Sequence, residues 1–148
     1  MSRLEVPLQH RMLRATGDTV LWADLFLSLK TNRGIWKQIR FRVDPGTEMT
    51  TMPAYDAKLL DLPIPKKPVP RVFLFGQEVR SGLLRARVVG MGPTEFVFPC
   101  YFLGDPDVPP PAHARNLLGL TGVINQLCLA FDGRSSVRSP RCVLVVER

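Results

Sequence analysis

The amino-acid sequence predicts a mainly β fold with one short helix. Apolar and polar residues alternate over several short segments, which is the pattern of strands with one buried face. Fourteen prolines and eleven glycines in 148 residues disfavour long helices and favour short strands joined by turns. The chain is 45% hydrophobic and 22% charged, which is ordinary for a globular protein, and its length predicts one domain over residues 1–148.

The clearest predicted element is a hairpin in the first third of the chain. In residues 25–30 the leucines fall on one face, and in residues 38–43 the aliphatic and aromatic residues do the same. The intervening segment Thr-Asn-Arg-Gly (31–34) is typical of a tight turn. The two segments are therefore expected to pair as antiparallel strands.

The rest of the chain continues in short elements. A strand near residues 50–52 leads into one or two helical turns over 53–60, since proline suits the first turn of a helix. Four prolines in residues 63–70 predict an extended surface connection. Beyond it the sequence predicts strands over 72–75 and 79–89 around a turn at 76–78, a strand over 95–103, a proline-rich loop over 104–111, a short apolar helix over 116–124, and strands over 127–131 and 142–146.

The net charge of +7 raises the question of nucleic-acid binding, because basic surfaces attract phosphate. The lysines and arginines are scattered along the chain, which favours a solvated basic surface and no nucleic-acid partner. A small β-barrel that binds RNA remains a weaker alternative that the charge alone suggests.

Cysteine usage and hydropathy bear on metals and location. Cys100, Cys128 and Cys142 are an odd number at wide spacings, and the chain has two histidines, so we expect free thiols, no metal site and no cofactor. Free thiols suit a reducing cytosol. No apolar run is long enough for a membrane helix, and the N-terminal segment MSRLEVPLQHR lacks the apolar core of a secretory signal. A cytoplasmic protein without membrane association is expected.

One acidic residue follows a predicted strand in a setting that suits catalysis. Asp44 ends the strand over 38–43 and precedes Pro-Gly-Thr, where glycine lets the chain turn tightly and bring backbone N–H groups near a carboxylate. No P-loop, GxSxG or HExxH motif is present. Far downstream, the run His-Ala-Arg-Asn-Leu-Leu-Gly-Leu (113–120) opens the predicted second helix.

An apolar strand that ends in Asp-x-Gly-Thr, with Arg-Asn-Leu-Leu-Gly much later, resembles the retropepsin family of single-domain, retroviral-type aspartic proteases and their bacterial relatives. The resemblance covers roughly residues 24–146. It implies a closed or partly open β-barrel-like acid-protease fold with one short C-terminal helix. It also implies peptide-bond hydrolysis by water activated between two carboxylates that share one proton. The chain has a single Asp-x-Gly motif, so two copies of Asp44 must meet in a homodimer, with the peptide bound as an extended strand.

The resemblance assigns roles within the active-site loop. Asp44 matches the catalytic aspartate, Gly46 the glycine that supports it, and Thr47 the small residue that follows. The family usually has Thr or Ser between Asp and Gly, with a hydroxyl that hydrogen-bonds across the dimer interface. Pro45 has neither hydroxyl nor N–H, so that interlock is absent. Two functions stay open: an active dimeric endopeptidase, and a catalytically impaired retropepsin-like binding or dimerisation module.

Further roles follow from the same resemblance. Glu48 matches an acidic position of the substrate groove that pairs with the arginine of the Arg-Asn motif, which predicts a Glu48–Arg115 ion pair beside Asn116. The glycine-containing hairpin matches the flap that covers the substrate: Phe75, Gly76, Gln77, Glu78 and Val79. Simpler roles are an Asx-Pro turn cap for Asp44, a helix cap for Arg115 and Asn116, and an ordinary hairpin in place of the flap.

Overall fold

The computed structural model describes residues 2–133 and 142–148, which form eleven strands and one short helix. In chain order the elements are β1 (Arg3–Pro7), β2 (Gln9–Met12), β3 (Thr19–Lys30), β4 (Trp36–Val43), β5 (Thr50–Pro53), α1 (Ala54–Leu59), β6 (Phe73–Leu74), β7 (Gln77–Val88), β8 (Glu95–Leu103), β9 (Leu117–Leu118), β10 (Cys128–Asp132) and β11 (Val143–Glu147).

Six strands close into a barrel. Hydrogen-bonded neighbours follow the order β3-β4-β9-β5-β8-β7, and β7 returns to β3 through three residue pairs, from Leu27↔Val88 to Leu29↔Ala86. The closure is uneven, because β7 and β8 pair from Val79↔Leu103 to Arg87↔Glu95 whereas β5 and β9 meet at one residue pair. The expectation of a mainly β, closed or partly open barrel is confirmed.

The barrel interior is the hydrophobic core. The three leucines of β3 between Leu25 and Leu29 are at most 1% exposed, and Phe41 of β4 is fully buried. On β8 the buried residues alternate from Phe96 to Phe102. Each large apolar side chain buried in this way stabilises the fold by about 1.5–3 kcal/mol relative to exposure. The hairpin predicted from alternation is the β3–β4 pair, with the leucines and Phe41 on its inner face.

A second, three-stranded sheet joins the two ends of the described chain. β11 lies between β1 and β10 and pairs with β1 from Arg3↔Glu147 to Pro7↔Val143. The sequence analysis predicted the last strand but missed β1 and β2. The missed signal is a short alternation of apolar residues from Leu4 to Leu8, which pack partly buried against the core.

Within residues 2–133 and 142–148, the structure has one helix, α1, which confirms the helical turns expected over 53–60. It begins directly after β5 and buries Ala54 and Ala57. It is six residues long, and no helix in the described part of the chain is long and apolar enough to cross a membrane.

The helix expected over residues 116–124 is wrong. Leu117 and Leu118 form β9, and the chain then passes through consecutive turns. Gly119 packs against backbone atoms of Met49, which favours the extended strand, and Gly122 has a φ of +74°, a left-handed conformation that interrupts helical geometry. The short helix of this fold therefore lies before the β6–β7 hairpin instead of near the C-terminus.

Candidate active site

Asp44 lies directly after β4, at the end of a barrel strand. Its backbone N–H donates to the carbonyl oxygen of Leu118 at 3.0 Å, which attaches the loop to β9. Its carboxylate accepts two hydrogen bonds from its own loop: the Gly46 N–H reaches Oδ1 at 3.0 Å, and the Thr47 hydroxyl reaches Oδ2 at 2.7 Å. Both oxygens are thus oriented by the loop, while the half-buried side chain still lines an open cleft.

Residues 44–47 form a tight turn around this carboxylate. The Thr47 N–H donates to the Asp44 carbonyl oxygen at 3.1 Å. Pro45 takes the second position of the turn, where its fixed φ fits and its missing N–H is not needed. A Cβ on Gly46 would lie 3.3 Å from Asp44 Oδ1, so a side chain there would crowd the acid. The hydroxyl that contacts the carboxylate comes from Thr47, a role that sequence reasoning missed.

The segment around β9 anchors the loop from behind. The Gly119 N–H donates to the buried Thr50 hydroxyl at 3.1 Å. A Cβ on Gly119 would meet the carbonyl carbon of Met49 at 2.4 Å and its oxygen at 2.6 Å, so the two backbones touch here and glycine is required for reasons of space. Next, the Leu120 N–H donates to the Thr47 carbonyl oxygen at 3.1 Å. The Leu-Leu-Gly part of the distant motif therefore positions the Asp44 loop.

Arg115 and Asn116 directly precede β9, before Gly119 in the sequence. The Arg42 N–H donates to the Asn116 carbonyl oxygen at 2.8 Å, and Asn116 Nδ2 donates to the Arg40 carbonyl oxygen at 3.2 Å. Asn116 thereby joins β9 to β4, and it caps no helix.

The predicted Glu48–Arg115 ion pair is wrong for the single chain. Both side chains are exposed, and neither forms an ion pair within the described residues. The reason is the path of the chain. The Glu48 carbonyl oxygen accepts the Thr121 N–H at 2.8 Å, so the residue beside Glu48 follows Gly119 in the sequence, whereas Arg115 precedes it and lies near Arg42.

The outer face of β4 is basic next to the acid. Arg40 and Arg42 alternate with the buried residues of β4 and share its outer face, and Asp44 continues that alternation. The Arg42 guanidinium lies 4.7 Å from the Trp22 ring centroid. Desolvation, followed by repulsion from Arg115, lowers the pKa of Arg42 below its usual value. Sequence reasoning treated these arginines as an ordinary solvated face, although the period of two already aligned them with Asp44.

Two adjacent cavities meet at Arg115. One, of about 540 Å³, is lined by Asp44, Pro45, Arg42 and Trp22. The other, of about 890 Å³, lies between β5, the start of α1, the proline-rich loop over 104–111 and the tip of the β6–β7 hairpin. Arg115 lines both. The predicted flap thus borders a large cavity beside the Asp44 cleft, and its residues do not line the Asp44 cleft in the single chain.

The hairpin tip has the geometry of a two-residue turn. Phe75 and Gly76 have φ angles of +51° and +72°, and β6 pairs with β7 through Leu74↔Gln77. The Phe75 side chain is 88% exposed. An apolar ring held at the tip of a hairpin in this way is available for contact with a ligand or a second chain.

The remaining candidate groups show no further site. The three thiols are free; Cys100 is buried in the core, and burial raises the pKa of its thiol. Within residues 2–133 and 142–148, no three side chains of His, Cys, Asp or Glu come together as a group that could hold a metal ion.

Comparisons with known proteins support the fold. No protein-family model matches the sequence, and no curated protein matches it. Among solved structures, the chain is similar to the crystal structure of a retropepsin-like aspartic protease from Rickettsia conorii, with a TM-score of 0.57 over 99% of this chain and 93% of that one. The two sequences are 13% identical. The chain therefore has the fold of a retropepsin-like aspartic protease.

Proposed function

We propose that the protein is an aspartic endopeptidase that acts as a homodimer. The observation that carries the proposal is the Asp44 carboxylate, half-buried at the end of a barrel strand and oriented by the Gly46 N–H and the Thr47 hydroxyl. The carboxylate of an acid held in this way keeps a fixed orientation beside a cleft large enough for a peptide side chain. The similarity in fold to a retropepsin-like aspartic protease, which covers 99% of this chain, also supports the proposal.

The mechanism requires two such carboxylates. One carboxylate removes a proton from water while the other, protonated, donates a hydrogen bond to the scissile carbonyl, and two acids at this distance share one proton. Each chain supplies a single Asp-x-Gly loop, so the second acid is Asp44 of a second copy, related by a two-fold axis. Because the pair titrates in two steps, the rate is expected to fall at both low and high pH.

Apolar side chains near Asp44 support dimerisation. Val20, Leu21 and Phe131 line the Asp44 cleft and are 37%, 50% and 43% exposed in the single chain. Large apolar groups gathered beside a polar site are typical of an interaction surface. Contact with the same surface of a second chain would cover them and bring the two Asp44 loops together.

Pro45 supports a second candidate, a retropepsin-like module that binds or dimerises without catalysis. The hydroxyl expected across the dimer interface is absent at this position. In its place the Thr47 hydroxyl contacts Asp44 within the same chain, at 2.7 Å. If this bond replaces the interlock in orienting the acid, catalysis survives Pro45.

A cleavage assay separates the two candidates. A denatured protein is incubated with the wild type, with Asp44→Asn and, as a matched control, with Asp107→Asn, an exposed aspartate that pairs with Lys58 on the surface. We expect cleavage by the wild type and Asp107→Asn, none by Asp44→Asn, and a dimer of all three in sedimentation. Equal cleavage by Asp44→Asn, or a dimer of the wild type that cleaves nothing, would contradict the endopeptidase.

The role of Thr47 can be measured in the same assay. Thr47→Val keeps the side-chain shape and removes the hydroxyl, so the Asp44 carboxylate loses one orienting hydrogen bond. We expect kcat to fall about ten- to hundredfold, the size of effect that a small misplacement of a catalytic group produces, with little change in KM. Thr47→Ser should restore kcat. Full activity of Thr47→Val would show that the bond has no part in catalysis.

A further inference from the structure

The cleft beside Asp44 contains more arginines than the described residues neutralise. Arg42 of β4, Arg115 before β9 and Arg11 of β2 line it, and Arg40 adjoins it on the outer face of β4. None of these four guanidinium groups forms an ion pair in the described part of the chain. Within the described residues, these arginines therefore lack a carboxylate partner that would compete with a bound anion.

Asp24 is a carboxylate paired in strand register with this cluster. It lies opposite Arg42 in the β3–β4 ladder, and it accepts a hydrogen bond from Trp22 Nε1 at 3.3 Å. Around the two cavities that Arg42 and Arg115 line, four arginines (Arg11, Arg40, Arg42 and Arg115) outnumber three carboxylates (Asp24, Asp44 and Asp56). The described side chains of the cluster therefore keep an excess of positive charge.

Arg42 is held as a rigid donor. Its guanidinium lies over the Trp22 ring, and its Nε is buried without a hydrogen-bond partner. A guanidinium held against a ring in this way loses little further freedom when it binds an anion, and its planar fork suits a carboxylate. Arg115 is exposed on the same cleft and is free to approach from the side.

We propose that this basic cleft is a substrate subsite for the side chain of an aspartate or glutamate within two residues of the scissile bond. The proposal rests on the endopeptidase function proposed above and adds its substrate class. Arg42 precedes Asp44 by two residues and lines the same cleft, which places its guanidinium near the side chains that flank the scissile bond. In a symmetric dimer each half of the peptide meets one such cleft, so an acid is accepted on either side of the bond.

The charge pattern favours an acidic peptide over a nucleic acid. Arg11, Arg40, Arg42 and Arg115 lie around a cleft that also has the carboxylates of Asp24 and Asp44 in its neighbourhood. A nucleic acid needs a continuous basic stripe that follows its backbone. A single carboxylate enters such a mixed cleft more easily than a chain of phosphates.

The first test measures cleavage preference. Wild-type protein is incubated with a library of peptides, and the cleaved bonds are identified by mass spectrometry. The best substrate is then made in two forms that differ only by Glu or Gln at the preferred position. We expect kcat/KM to be about tenfold higher for the Glu peptide, the discrimination of a charge-assisted hydrogen bond in a partly exposed site. The ratio should fall towards one near 1 M ionic strength, where the Debye length is about 3 Å.

Variants then locate the preference. Arg42→Gln and Arg115→Gln should each reduce the Glu-to-Gln ratio, whereas Arg33→Gln, an exposed arginine on the far turn of the β3–β4 hairpin, should leave it unchanged. Arg115 is exposed and forms no ion pair in the described residues, so its replacement tests the proposal even if Arg42→Gln fails to fold.

The outcomes distinguish the subsite from the endopeptidase. Cleavage without a preference for Asp or Glu, or a preference unchanged in Arg115→Gln, overturns the acidic subsite and leaves the endopeptidase intact. If no peptide is cleaved, the endopeptidase fails, and fluorescence anisotropy with a labelled Glu and Gln peptide pair decides the subsite. Equal binding of the two peptides overturns it. Tighter binding of single-stranded RNA than of the Glu peptide, lost in Arg115→Gln, overturns it in favour of a nucleic-acid site.

Discussion

Substitution of Gly119 by alanine tests whether the contact behind the Asp44 loop limits the fold. The new Cβ would lie 2.4 Å from the carbonyl carbon of Met49 and 2.8 Å from the Thr50 nitrogen, closer than carbon atoms approach in folded proteins. Both neighbours are backbone atoms, so the segments themselves must separate. Overpacking of this kind costs about 1–3 kcal/mol. Loss of the hydrogen bond from the Gly119 N–H to the Thr50 hydroxyl adds about 1 kcal/mol.

We therefore expect Gly119→Ala to lower the free energy of unfolding by about 3 kcal/mol. For a chain of this size that corresponds to roughly 10 °C in Tm. The matched control is Gly133→Ala, because a Cβ at Gly133 meets none of the described residues within 4 Å and neither glycine has a positive φ. The control should be neutral or slightly stabilising.

Urea unfolding followed by the fluorescence of Trp22 and Trp36 measures both variants. The close backbone contact predicts a lower urea midpoint for Gly119→Ala at an unchanged dependence of the unfolding free energy on urea. A midpoint equal to that of Gly133→Ala would refute it. Because the same contact supports the Asp44 loop, the stability loss should be accompanied by a loss of any peptidase activity at temperatures where the protein is still folded.

Three further predictions concern the core and titrating groups. Phe41→Ala removes a fully buried ring and should lower the free energy of unfolding, measured with urea, by about 3–5 kcal/mol. Phe26→Ala, at a residue that is 42% exposed, should lower it far less, and similar losses for the two variants would contradict the placement of Phe41 in the barrel core. Hydrogen bonds from Arg85 and a second β7 arginine lower the pKa of Glu95, so its contribution to stability is present above its unfolded pKa and lost as pH falls through the lower folded value. Tm measured against pH should therefore fall less steeply below about pH 5 in Glu95→Gln than in the wild type, and parallel curves would exclude the contribution. Burial raises the pKa of the Cys100 thiol, so a thiol reagent near pH 8 should label the exposed Cys128 first and Cys100 only on unfolding. Mass spectrometry measures the labelling, and rapid labelling of Cys100 in the folded protein would contradict its burial.

The parts of the fold that sequence predicts well depend on neighbours in the chain. The β3–β4 hairpin follows from alternation and a local turn, and its buried face matches the prediction residue for residue from Ile39 to Val43. The hydrogen bonds to the Asp44 carboxylate are equally local, since they join residues at most three positions apart. In these segments the chemistry that orders the backbone is visible in a window of a few residues.

The parts that sequence missed depend on distant partners. The apolar run after Asn116 has the composition of a helix, yet the close contact of Gly119 with Met49 keeps it extended, and that contact joins residues 70 positions apart. The prediction of a Glu48–Arg115 ion pair was wrong for a related reason, because similarity of sequence motifs gives no distance between two side chains. In the structure the segment beside Glu48 is the one after Gly119, whereas Arg115 lies before Gly119. Likewise, the basic cleft appears only when β3, β4 and the segment before β9 come together.

The pairing of β1 with β11 has a consequence for the order of folding. The Arg3 side chain donates a hydrogen bond to Glu147, 144 residues along the chain, and the Ser2 and Arg148 backbones pair beside it. Contacts of such long sequence separation form late and slow folding. The barrel is expected to assemble first, because β1 can pair with β11 only after the long segment between them has been synthesised. During that interval the edges of β1 and β10 are unpaired, and shielding them from other chains is then a task for the folding environment.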